Sequence, residues 1–315
     1  MTVQFMEPLS RAWNRMTAAL FKPFDVHKWF VVGFNAFIAG LMEVSNGGGG
    51  SRFGKKGNFA DFIHFPQTAW QWLQGHPFWA AVIAFGLVVA IAVVVALTWV
   101  SARGTFMFMD NVVRDTVEIA KPWREYRKEG NSLFAWRLVL GIGAFVTFGA
   151  VLAVFFARGV VLYEEGISPV LPVGFLIGMG LAMLGLGIVW GYIHFFLKDF
   201  VAALMYRDRI SCGQAWRIFL VVFGKAPLHF IGYGILIFLL TIAFAIAVTV
   251  AGLATCCIGF IVLAIPYVST VVTLPVWYTY RGFSLEFLAQ FGPEYDAFKR
   301  QGQGAAVDTP HRVGS

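Results

Sequence analysis

The chain has 315 residues, of which 58% are hydrophobic and 13% charged, with a mean hydropathy of +0.71. Soluble domains carry about 25% charged residues, so half that share leaves too little polar surface to face water on all sides, and a soluble globular domain is excluded. The net charge of +7 fits Lys and Arg gathered in the cytosolic loops of a membrane protein; no basic stretch carries the stacking aromatics of a nucleic-acid groove, so nucleic acid is not expected as a partner.

The apolar runs are continuous and long. A transmembrane β-barrel would instead alternate in segments of about ten residues. A helix needs about 20 residues to cross about 30 Å of hydrocarbon, and six stretches qualify or come close: roughly 27–44, 77–102, 133–158, 170–198, 227–250 and 256–278. The expected fold is an all-α membrane protein, a six-helix transmembrane bundle with amphipathic helices at the cytosolic interface. Three parts are expected: a cytosolic interfacial helix over 1–26, a membrane domain over 27–280, and a cytosolic amphipathic segment with a disordered tail over 281–315.

The first 25 residues lack the compact apolar core and small-residue cleavage site of a removable signal peptide. The first apolar segment is short: "WFVVGFNAFIAGLM" (29–42) holds 14 residues, with Asn35 inside. Charge decides whether it crosses. If it does, the segments on the cytosolic side hold 20 Lys or Arg and those outside hold 4; if it does not, the split falls to 16 against 8. The steeper asymmetry is the expected one, which places both termini in the cytosol.

The outer loop, about 45–76, opens with the flexible "NGGGGS" (46–51). The aromatics Trp70, Trp72 and Phe78 further along fit a segment lying on the outer leaflet. His64 and His76 have no neighbouring ligands in sequence, and no metal site is expected. The second span is expected to fill the hydrocarbon from Phe78 to about Trp99, which leaves Asp110 about 16 Å beyond it at about 1.5 Å per residue.

The fourth span carries "GFLIG" (174–178) and "GIVWG" (187–191). Gly174, Gly178, Gly187 and Gly191 would let a neighbouring helix approach closely in lipid, within the chain or across a homodimer. The span then runs into "HFFLKDFVAALMYRDR" (194–209), where a lysine and an aspartate sit side by side. Ionisable groups at bilayer depth are functional by default. Counted along the helix, Asp199 falls about 13 Å past the core, at the cytosolic interface. His194 and Lys198 share a helix face, as do Arg103 and Asp110. These five residues form the candidate polar cluster, read first as a structural collar of ion pairs and second as a vestibule for a substrate or proton.

The last two spans come from one uncharged run that must fold back on itself, with "AGLATCCIG" (251–259) as the turn. Pro266 and Pro275 should bend the sixth span. Glu164 and Glu165 sit in the short outer loop, and the three cysteines, Cys212, Cys256 and Cys257, read as small apolar fillers with no CxxC among them.

Three loose repeats are visible. "AWNRMTAALFKP" (12–23) resembles "AWRIFLVVFGKAP" (215–227), and "TFMFMDNVV" (105–113) resembles "HFFLKDFVA" (194–202), aligning Asp110 with Asp199. "WREYRKEGNSLFAW" (123–136) again leads into a span. Each copy reads as an interfacial helix, a span out and a span back.

No HExxH, GxSxG, P-loop or Rossmann glycine run is present, so neither catalytic residues nor a cofactor are expected. "SARGTFMFMDNVVRD" (101–115), "KDFVAALMYRDRISCGQAW" (198–216) and "IPYVSTVVTLPVWYTYRGFSLEFLAQFGPEY" (265–295) resemble a broad group of uncharacterised bacterial multi-pass membrane proteins, a group similar to the membrane domain of some glycerophosphodiester phosphodiesterases. The catalytic part of such relatives is a soluble barrel, for which this chain has no room. The resemblance implies an accessory or scaffold module that contacts membrane lipid or a protein partner through its cytosolic helices; the alternative is a transporter or lipid-translocating component.

Overall fold

The computed structural model describes residues 3–42, 59–164, 173–255 and 258–299. Among these the chain is helical, without a β-strand: α1 (Met6–Phe21), α2 (Val26–Gly40), α3 (Phe59–Gly75), α4 (Pro77–Arg114), α5 (Ala120–Glu125), α6 (Arg127–Glu164), α7 (Val173–Phe196), α8 (Ala202–Asp208), α9 (Cys212–Lys225), α10 (Pro227–Ala254), α11 (Ile258–Leu263), α12 (Pro266–Val272) and α13 (Leu274–Ala289). One turn of π-helix, Leu197–Val201, joins α7 to α8.

Four helical stretches are long and apolar enough to cross a membrane: Pro77–Arg114, Arg127–Leu162, Val173–Asp208 and Pro227–Ala254. They correspond to the second to fifth expected spans. The first and sixth are built differently. Helix α2 has 15 residues, about 22 Å of helix at about 1.5 Å per residue. The sixth is divided among α11, α12 and α13, because Pro266 and Pro275 each sit in the first turn of a new helix. A proline donates no backbone bond and crowds the preceding turn, so it opens helices rather than continuing them.

The expected fold-back after the fifth span occurs, since α10 ends at Ala254 and α11 starts at Ile258. The reversal is tight. A Cβ on Gly252 would lie 2.5 Å from the Phe260 ring, so any larger residue there would have to displace that ring.

The chain divides into two compact units. The first gathers the described residues of Met1–Glu43, Trp99–Trp136 and Phe195–Ser315; the second, those of Val44–Thr98 and Arg137–His194.

The first unit has a densely packed core. Helix α1 buries Ala12, Met16, Ala19 and Leu20 at the helical spacing that makes one face, and it lies along α13. Ala12 meets Gly282 so closely that a Cβ there would be 3.3 Å from the alanine methyl. From Arg281 to Leu288 every residue of α13 is buried, so this segment is a core helix rather than a one-faced amphipathic one. Helix α2 packs on α12 through Tyr267, whose hydroxyl donates to the Phe30 carbonyl at 2.9 Å. It is locked to α4 by Asn35, which is fully buried and donates to Asn111 Oδ1 at 2.6 Å. Gly104 of α4 lies against Ile38 and the Ala39 amide, where a Cβ would come within 2.8 Å of that nitrogen. Phe200, Phe219, Phe230, Tyr233 and Phe287 interlock at the centre.

In the second unit, Trp190 of α7 lies over Gly143 of α6 and donates from its indole to Thr147 Oγ1 at 2.9 Å. The close approach of these helices therefore falls at Gly143. At Gly174, Gly178, Gly187 and Gly191 an added Cβ would meet nothing within 4 Å. On α3, Trp70 and Trp72 are exposed, and His76 stacks on Trp72 at 4.7 Å while its Nδ1 meets the Trp72 carbonyl. The expectations for the rest of the outer loop, for Glu165, Cys256 and Cys257, and for the tail beyond Lys299 lie outside the described residues.

Candidate functional site

Ionisable groups inside a packed core must be paired or hydrogen-bonded, because an unmatched charge there costs several kcal/mol. The first unit buries four acids: Asp110, Glu129, Asp199 and Glu286. The settings of three of them are related.

Asp110 lies near the C-terminal end of α4. Its Oδ1 accepts from the Tyr126 and Tyr206 hydroxyls, each at 2.9 Å, and meets Arg114 Nε at 3.2 Å, one helical turn on. The two tyrosines stack with centroids 5.1 Å apart, and the Arg209 guanidinium covers the Tyr126 ring at 3.8 Å. Arg209 also pairs with Glu125 and reaches Glu129 at 3.7 Å. It is placed there by a left-handed backbone (φ 57°) at the end of α8. Burial, reinforced by Tyr206 and by the negative charge of Asp110, pushes the Tyr126 phenol far above its ordinary range. Its hydroxyl is thereby favoured as the donor to Asp110.

Asp199 sits in the π-helical turn. Its Oδ2 accepts from the buried Tyr233 hydroxyl at 3.2 Å, and Arg281 Nη1 lies 3.9 Å from Oδ1. The same Nη1 donates to the Lys198 carbonyl at 2.9 Å. The Lys198 ammonium stands 5.8 Å over the Trp277 ring. A π turn takes an extra residue and rotates the helix beyond it, so the face shared by residues four apart in an α-helix does not carry through this turn.

Glu286 of α13 is absent from the cluster expected on sequence grounds. Its side chain is buried and accepts from Arg15 at 3.0 Å, with Arg11 at 3.9 Å. Both arginines come from α1. A signal for it exists in the sequence: "MDNVV", "KDFVA" and "LEFLA" place Asp110, Asp199 and Glu286 in one register.

Among the expected cluster, then, Lys198 and Asp199 meet one arginine, Arg281. Asp110 is paired with Arg114 rather than Arg103. Arg103 lies among the indoles of Trp99 (4.3 Å) and Trp123 (5.1 Å) and donates to Asn131 at 3.0 Å. Gly130 makes room for its stem, since a Cβ there would be 2.8 Å from Arg103 Cγ. His194 belongs to the second unit and is exposed. Among the described residues no group of three His, Cys, Asp or Glu is placed to hold a metal ion.

A second feature is concave. A groove of about 440 Å³ is lined by Trp136 at the foot of α6 and by Ser211, Gly213, Gln214, Trp216, Arg217 and Leu220 along α9. Ser211 and Gln214 form a reciprocal cap on α9, and the Cys212 amide donates to Ser132 Oγ at 3.0 Å, fixing α9 to α6. Trp136 and Trp216 face one another with centroids 6.5 Å apart.

The model of a family of unknown function, DUF7544, matches residues 4–296, and the chain belongs to that family. No curated protein and no solved structure matches the chain.

Proposed function

We propose, with membership of that family as the premise, that the chain is an accessory or scaffold protein of the membrane that contacts lipid or a protein partner through a cytosolic collar of helices. One observation carries this reading. Three buried acids are engaged by tyrosine or arginine: Asp110 by two tyrosines and an arginine, Asp199 by Tyr233 and Arg281, and Glu286 by Arg15. Such pairs pin helices together. None of these three carboxylates stands open for a cargo to displace; the fourth buried acid, Glu129, lies 3.7 Å from Arg209 and has one oxygen without a hydrogen-bond partner among the described residues.

In this reading the chain crosses the membrane six times, with α2 as the first crossing and α11 to α13 as the last. Both termini lie in the cytosol of a bacterial inner membrane, supported by the 20-to-4 partition of Lys and Arg. The sequence resemblance proposed above, to the membrane domain of some glycerophosphodiester phosphodiesterases, fits an accessory role, since in that group the chemistry resides in a separate soluble barrel.

A second reading, a transporter or lipid-translocating component, is favoured by one feature. The Lys198–Asp199 pair sits in a π-helical turn, and such turns recur at functional sites.

Extraction with native lipids followed by native mass spectrometry separates the two. A protein partner or a lipid held in fixed stoichiometry supports the accessory role. A bare monomer, whose Asp199→Asn variant keeps its stability but loses a cellular phenotype, overturns it in favour of transport.

A further inference from the structure

The groove beside α9 has the chemistry of a lipid headgroup site. It is lined by two indoles, a leucine, a serine, a glutamine and one arginine, with no acid among them. Arg217 is exposed and, among the described residues, has no ion-pair partner. The Trp216 indole nitrogen is shielded from solvent and, among the described residues, has no hydrogen-bond partner. A buried donor left unmatched is destabilising, so this N–H calls for an acceptor that the described residues do not supply. The neighbouring exposed surface is apolar: Leu220 is 56% and Val221 63% exposed on the same helix. The opposite face, Cys212, Ala215, Phe219 and Val222, is buried in the protein. A helix anchored on one side, with bulky apolar residues and a cation on the other, is built to meet the headgroup boundary of a bilayer. Tryptophan pairs are at home there.

We infer that this groove binds one anionic phospholipid. The phosphate lies on the Arg217 guanidinium, an ester or phosphate oxygen accepts from the Trp216 indole, and Ser211 and Gln214 border the polar headgroup. The indole faces and Leu220 take the glycerol and the first methylenes of the chains. This deepens the lipid-contacting reading above and rests on it.

The test uses the full chain in phosphatidylcholine nanodiscs doped with phosphatidylglycerol, with retained lipid read by native mass spectrometry. Wild type keeps phosphatidylglycerol in preference to phosphatidylcholine. Arg217→Gln lowers that retention about tenfold, the scale of one lost charge-assisted contact. Trp216→Phe keeps the ring, removes the N–H and also lowers it. Lys225→Gln, an exposed cation on the same helix outside the groove, leaves it unchanged. An equal fall with Lys225→Gln would mean diffuse surface attraction and overturn the site. Displacement by millimolar inorganic phosphate would mean a simple anion site and overturn the lipid assignment. Retention that neither groove variant alters places the lipid elsewhere and overturns the groove while sparing the lipid-contacting role. If wild type retains neither lipid nor partner, the underlying reading itself falls.

Discussion

Glu286 of α13 accepts from Arg15 of α1 at 3.0 Å, across 271 residues of chain. This contact completes a cycle. With the chain divided into the three loose repeats, each a short helix followed by two helical segments, the acids Asp110, Asp199 and Glu286 close the first, second and third copies. Asp110 is met by Tyr126, which opens the second copy; Asp199 by Tyr233, in α10 of the third; Glu286 by Arg15, in α1 of the first. Each copy thus engages the next, and the last returns to the first. Each acid thus has a partner from another copy, although Asp110 also pairs with Arg114 of its own helix.

The Arg15 contact is the most isolated of the three. Arg15→Ala leaves Glu286 buried with only the distant Arg11 at 3.9 Å, and losing one partner of a buried pair costs about 3–5 kcal/mol at the upper end. Side-chain exposure of Arg15, 38%, brings the expected loss toward about 1–2 kcal/mol. Hydrogen exchange across residues 6–21 should accelerate selectively. Unchanged protection of α1 would show that its apolar face alone, Ala12, Met16, Ala19 and Leu20, holds it.

At Asp110 three donors converge on one oxygen. Tyr126→Phe and Tyr206→Phe should each lower stability by about 1 kcal/mol, the net worth of one hydrogen bond, and somewhat more because the acceptor is charged. Asp110→Asn should cost more than either, because it weakens all three contacts at once and leaves Arg114 with Glu125, at 3.5 Å, as its remaining charge partner. Thermal unfolding in detergent reads these losses. Combined in one chain, the two phenylalanine variants should deviate from additivity, as expected for stacked neighbours sharing an acceptor; strict additivity would argue against a shared network.

The raised Tyr126 phenol gives a pH dependence of definite sign. In the unfolded chain it ionises near its ordinary value of about 10; in the folded protein it ionises only well above that, because burial comes first and Tyr206 and Asp110 add to it. The folded state therefore binds the proton more tightly, and its contribution to stability is complete below about pH 10 and lost as pH rises beyond it. Alkaline unfolding should be shallower in Tyr126→Phe than in wild type. Identical alkaline profiles would place the sensitivity at other groups.

Much of this is legible in sequence, and the failures have causes. Hydropathy finds the four long helices because a continuous apolar run needs no partner to be recognised. It says less about the first and sixth segments, because it averages over local structure: α2 has only 15 residues, and Pro266 and Pro275 divide a helix without lowering its apolarity. Asn35 reads as a blemish in a span, yet its partner Asn111 lies 76 residues away, beyond any local pattern. Asp110 and Asp199 are visible because each interrupts or ends an apolar run. Glu286 is not, since it stands among the polar residues of a segment that looks like an exposed tail. Pairing Asp110 with Arg103 rests on helical spacing alone, and nothing in spacing announces that two tryptophans compete for the arginine.

The glycines offer a direct contrast. Gly104→Ala should cost about 1–3 kcal/mol, because the new methyl meets Ile38 and the Ala39 backbone and overpacked cores lose stability on that scale. Gly178→Ala and Gly187→Ala meet no atom within 4 Å and should be neutral or slightly stabilising through helix propensity, within about 1 kcal/mol. Thermal unfolding of the monomer measures all three. If Gly178→Ala instead lowers stability only at concentrations where the protein associates, a second copy uses that face.

The number of crossings can be decided with two introduced cysteines. Gln71 is exposed on α3 and Lys299 is exposed after α13. In a background lacking Cys212, Cys256 and Cys257, Gln71→Cys and Lys299→Cys are treated in intact cells with a thiol reagent that does not cross membranes. Between the two positions lie the four long helices and the α11–α13 segment. If only the four long helices cross, the count is even and both cysteines lie on one side. If α11 to α13 together form a further crossing, the count is odd and they lie on opposite sides, Gln71→Cys labelled and Lys299→Cys protected until the cells are opened. The six-crossing reading requires the second result, because it puts α3 outside and the C-terminal helix in the cytosol. Equal labelling would remove the last crossing, and with it the assignment of α11 to α13 as a kinked span.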